Sequence, residues 1–77
     1  VNTMARRNVY TVAYNLFGQK KEKVDVIAQN KAEAYDIATF EIIPKEEGRL
    51  PYSAWVESVT YQNGNTRTFN TFEGNPY

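Results

Sequence analysis

Asn63-Gly64 constrains this chain more than any other pair of residues. It lies between two strand-like runs, Ser53 to Gln62 and Asn65 to Phe72. A two-residue type I′ turn needs positive φ at both central positions, and Asn followed by Gly meets that need at the least steric cost. The reading is a hairpin whose register follows from its turn. It sets Val59 opposite Thr68, Tyr61 opposite Thr66, Trp55 opposite Phe72 and Ser58 opposite Phe69.

A second hairpin precedes it. Asn8 to Phe17 alternates as a strand does, with Tyr10, Val12, Tyr14 and Leu16 on one face and Val9, Thr11, Ala13, Asn15 and Phe17 on the other. Gly18 breaks the run, and Lys23 to Gln29 alternates again. A two-residue loop would set charges on the apolar face. A three-residue loop, Gly18 to Lys20, pairs Tyr14 with Val24 and Val12 with Val26 and keeps that face apolar.

Between the hairpins the period changes from two to 3.6. Asn30 and Glu33 form a capping box, and Ala34, Ile37, Ala38 and Ile42 recur at helical spacing, with Tyr35 at the margin. The predicted helix spans Lys31 to Ile43. Phe40 and Ile43 fall off its apolar stripe, and Pro44 is expected to end it.

The order strand, strand, helix, strand, strand predicts an α+β fold with a β-β-α-β-β topology. The helix connection makes strands two and three parallel, so strand one fits between them. The result is a four-stranded antiparallel sheet of order 2-1-3-4, with one helix packed on one face. Strands one and three are apolar on both sides, as central strands are. Strands two and four carry the charged and polar residues that protect edges. The competing order is 1-2-3-4. Residues 1–77 read as a single domain, with residues 1–7 a flexible basic arm and residues 73–77 a C-terminal tail.

One helix covers one face. Tyr10, Val12, Tyr14, Val24, Val26, Trp55, Val59 and Phe72 are expected beneath it. The opposite face is expected to carry Val9, Thr11, Ala13, Ile27, Tyr52, Ala54, Val56 and Phe69, a half-apolar surface of the kind that marks a partner contact. The candidate protein-binding residues are therefore Val9, Thr11, Ile27, Tyr52, Val56 and Phe69.

Composition narrows the chemistry. The chain has neither Cys nor His, which removes disulfides, thiolate metal sites, and the commonest general base and metal ligand. No Ser or Thr has an evident base nearby, Glu46-Glu47 reads as a solvated charge run, and no calcium loop or phosphate-binding loop is present. The expectation is no enzyme, no cofactor and no metal. No apolar run is long enough to cross a membrane, and polar sequence after Arg6-Arg7 argues against a secretory or twin-arginine signal. A cytoplasmic location is the expectation.

Charge balances overall, with nine basic and nine acidic residues, but unevenly. Residues 1–23 hold five basic side chains against Glu22 alone, and the rest holds four against eight acidic ones. The expected role is a small intracellular interaction or accessory module with a protein partner, homodimeric through the open sheet face in the simplest case. The alternative is a nucleic-acid-associated accessory protein using Arg6, Arg7, Lys20, Lys21, Lys23 and Arg67.

Overall fold

The computed structural model describes residues 7–17 and 21–77. Four strands, β1 (Asn8–Asn15), β2 (Glu22–Ala28), β3 (Ser53–Thr60) and β4 (Thr66–Thr68), form one antiparallel sheet of order β2-β1-β3-β4. One helix, α1 (residues 31–47), lies between β2 and β3 in the chain and packs on one face of the sheet. The predicted architecture and strand order hold.

Two registers differ from the expectation. In the first hairpin Val12 pairs with Val24 and Tyr10 with Val26, two residues away from the predicted pairing. A two-residue slip keeps every side chain on its own face, so burial does not choose between these registers. The open-face pairs do. The observed register sets Val9 against Ile27 and lets the Thr11 hydroxyl donate to the Asp25 carboxylate at 2.9 Å. The predicted one would set Thr11 against Ile27 and Ala13 against Asp25. The expected loop, Gly18 to Lys20, lies outside the described residues.

The Asn63-Gly64 hairpin is present, with a different turn. Only Gly64 has positive φ, at 92°, and Asn63 does not. Gly64 N–H donates to the Tyr61 carbonyl at 2.9 Å, and Tyr61 N–H donates to the Asn65 carbonyl at 2.8 Å. This is a three-residue loop, a type I turn closed by a left-handed glycine in a G1 bulge. Asn63 contributes through its side chain, which accepts from Asn65 N–H at 3.0 Å. The extra loop residue moves the register by one: Ser58 faces Thr68 and Val59 faces Arg67. That shift carries Phe69 to the helix side, where it packs against the core.

A bulge in β3 causes the third difference. Thr11 pairs with Ser58 and Val12 with Val56, so Glu57 is the extra residue. Alternation changes phase there. Ala54 and Val56 lie on the helix face with Val59, and Trp55 lies on the other face opposite Ala13. The expectation had Ala54 and Val56 open and Trp55 covered.

The helix is also longer than the sequence implies. Its start holds at Asn30, which accepts from Glu33 N–H at 2.8 Å; the Glu33 carboxylate reaches one residue further back than in a capping box and accepts from Gln29 N–H at 2.6 Å. Its middle, Ala38–Ile42, winds as a π-helix, and Ile43 N–H bonds back to the Ala38 carbonyl. This wider turn passes Pro44 into a fresh α-helical turn, in which proline sits among the N-terminal positions that need no N–H partner. Gly48, at φ 80°, then ends the helix with its N–H on the Pro44 carbonyl at 2.8 Å. The wide turn also rotates the apolar stripe. Its fully buried members are Ala34, Ala38 and Ile43, spaced by four and then five, while Ile42 is half-buried and Phe40 exposed.

The core is one cluster between sheet and helix. Tyr10, Val12, Tyr14, Val26, Val56 and Val59 meet Ala34, Ala38 and Ile43 there. The two alanines let the helix backbone approach the sheet closely. The C-terminal segment closes one side: Pro76 C=O accepts from Val56 N–H at 2.9 Å, and Tyr77 meets Tyr35 edge-on at 5.4 Å. Phe72, expected under the helix, is exposed in the turn it shares with Asn75.

Candidate functional site

No helix or second sheet packs on the other face among the described residues. Alternation in β1 and β2 sends Val9, Thr11, Ala13, Lys23, Asp25 and Ile27 to it. From β3, after the bulge, come Ser58 and Thr60, and before it Trp55. Thr66 and Thr68 complete it from β4.

This face has two unlike ends. At one, Val9 and Ile27 stand directly opposite each other, 36% and 63% exposed. At the other, Ala13 sits between Lys23 and Trp55 on the neighbouring strands. Ala13 is fully buried there and Trp55 is only 8% exposed. The Glu57 carboxylate accepts from both the Lys21 and Lys23 ammonium groups, each at 3.0 Å. Burial alone would raise the Glu57 carboxyl; the two ammonium groups outweigh it and hold the group below its ordinary value. Thr11 and Ser58 lie between the two ends, and the Val9 row continues across β3 and β4 as hydroxyls, with Thr60 and Thr66 Oγ1 atoms 3.2 Å apart.

Of the six candidate contact residues, Val9, Thr11 and Ile27 come together on this face. The other three do not join them. Val56 is fully buried in the core, because the bulge changes its phase. Phe69 is half-buried on the helix side, with Lys31 Nζ 4.6 Å and the Arg67 guanidinium 5.9 Å from its ring centre, because the three-residue turn shifts β4. Tyr52 precedes β3 at the far end of the sheet, its ring 5.2 Å from that of Phe17.

The basic residues are dispersed. Arg6 and Lys20 lie outside the described residues. Lys21 and Lys23 share Glu57, Arg67 lies on the helix side, and Arg7 stands before β1, where its carbonyl accepts from the Gln62 side chain at 3.1 Å.

Among the described residues there is no cavity that would enclose a small molecule and no group of three or more acidic side chains placed to share a cation. No helix among them is long and apolar enough to cross a membrane.

Sequence reasoning missed Trp55 and the Lys21–Glu57–Lys23 bridge. A signal was present. Ala54, Trp55 and Val56 are consecutive apolar residues, and Val59 follows Val56 by three, which no strict two-residue alternation allows. Comparison with family models, with curated proteins and with solved structures returns no match.

Proposed function

We propose that this chain is a non-catalytic interaction module that takes a protein partner at the exposed Val9–Ile27 end of the sheet face opposite the helix. The observation that carries this reading is the opposed, exposed pair Val9 and Ile27 on a face without a second layer. Around the pair lie hydroxyls and charges, the mixed composition of a non-obligate protein contact rather than of a permanent apolar interface. A face-to-face homodimer is its symmetric case. The cysteine-free sequence is compatible with action in the cytoplasm.

The nucleic-acid reading draws less support. Phosphate recognition rests on several free cations along one surface. Here Lys21 and Lys23 share the single Glu57 carboxylate, which offsets one of their two charges, and Arg67 faces the other way.

A photo-crosslinking side chain at position 9 tests the proposal in extract of the source cells. The expected product is a protein adduct, to a partner or to a second copy, that survives high salt and is lost in Ile27→Lys. A nucleic-acid adduct that disappears as salt rises supports the alternative. No adduct at any salt sinks both.

A further inference from the structure

β2 stands at one edge of the sheet, and among the described residues no segment pairs with its outer side. The opposite edge is short: β4 spans three residues, and beyond it Thr71 Oγ1 and Pro76 bond to Val56. The ladder fixes which β2 amides face outward. Val56 gives its N–H to Pro76, away from β1. Its cross-strand partner Val12 therefore directs its own N–H and C=O toward Val24 of β2. Alternation then turns the backbone groups of Lys23, Asp25 and Ile27 outward.

We propose that two copies of this chain pair antiparallel through β2, with Val24 on the two-fold axis. Outward groups must meet outward groups, so the axis passes through a residue and not between two. An axis on Lys23 or on Asp25 sets like charges directly opposite each other. An axis on Val26 sets Asp25 against Ile27 and gives Lys23 no carboxylate. The axis on Val24 sets Lys23 of each copy opposite Asp25 of the other, twice by symmetry.

Both members of that pair can accept it. The Lys23 side chain is 53% exposed beyond its contact with Glu57. Thr11 occupies Oδ1 of Asp25, and Oδ2 has no partner among the described residues. Each Lys23–Asp25 pair also exchanges backbone hydrogen bonds in both directions. The product is a continuous eight-stranded sheet with both helices on one side. It leaves Val9 uncovered, so the pairing stands whether or not the open face binds a partner.

Sedimentation of the full chain over a range of concentrations tests it. The unaltered chain is expected to pass from monomer to dimer as concentration rises. Asp25→Lys is expected to move that transition about ten-fold or more upward, and the exchange Lys23→Glu with Asp25→Lys to restore it. Lys23→Glu alone also loses Glu57, so a second readout uses no charge change. Val24→Cys supplies the chain's sole cysteine at a non-hydrogen-bonded pair on the axis, where opposed Cβ atoms lie about 4.5–5.5 Å apart. It is expected to oxidise to a covalent dimer, while Ile27→Cys, far from its own copy, stays reduced. A monomer at every concentration, a dimer indifferent to Asp25→Lys, or equal oxidation at positions 24 and 27 overturns the proposal.

Discussion

The Tyr14 hydroxyl donates to the Glu47 carboxylate at 2.8 Å, tying the last turn of α1 to the central strand β1. Burial, with this bond to Glu47, pushes the Tyr14 phenol up to about 12 from its ordinary value of 10.0. A raised folded value means that the neutral phenol is favoured in the native state. Its contribution is complete below pH 10 and is lost as pH climbs toward 12. Tyr14→Phe should cost about 0.5–1.5 kcal/mol at neutral pH, since Glu47 remains wet when its donor is gone. Urea denaturation of both proteins, with a phenolate absorbance titration, measures the difference.

Val56 and Ile27 separate the two faces of the sheet. Val56→Ala should cost about 2 kcal/mol, because Val56 is fully buried against the helix. Val56→Lys should prevent folding, since it would bury an unpaired charge. Ile27→Lys, at an exposed position, should stay within about 0.5 kcal/mol of the parent. Thermal denaturation of the three variants reads this directly, and equal losses at both positions would overturn the assignment of faces.

Gly64 and Asn63 distinguish the turn types. Gly64→Ala should cost about 1–2 kcal/mol, all of it conformational, because an added Cβ would meet nothing within 4 Å. Asn63→Ala should cost no more than about 0.5 kcal/mol, the worth of one exposed side-chain hydrogen bond. A type I′ turn would instead penalise both. Chemical denaturation of the two variants discriminates.

Glu57 should make the fold sensitive to mild acid. Its carboxyl is held below the ordinary 4.5, so its contribution is present above that value and is lost as pH falls through the lower folded one. The half-exposed lysines keep the effect under about 1 kcal/mol, and salt should shrink it. Glu57→Gln is expected to flatten the dependence of stability on pH below 4.5 and on salt. An unchanged slope would mean that the bridge contributes nothing.

Legibility followed the range of each signal. The Asn30–Glu33 cap is local, and the structure matches it closely. Strand existence was legible because Tyr10, Val12 and Tyr14 alternate cleanly, and the charge on the edge strands favoured the observed order over 1-2-3-4. The open face was legible only in β1 and β2, where Val9, Thr11 and Ile27 keep an unbroken alternation. In β3 and β4 it was not, since one extra residue at Glu57 and one more in the turn each reverse the faces beyond them.

The amino-acid order alone determined which segments become strands and helix and narrowed the sheet to two orders, because those depend on periodicity, capping and the need to bury apolar sides; the structure selected β2-β1-β3-β4. Tertiary structure decided the phase of each element. Pairing β3 against β1 made Glu57 a bulge and sent Trp55 across the sheet. Packing α1 on the sheet brought Ile43 inward through a wide turn before Pro44. Each is a one-residue change in register. It leaves local propensity almost untouched, and it becomes favourable only when the facing surface is present to be filled.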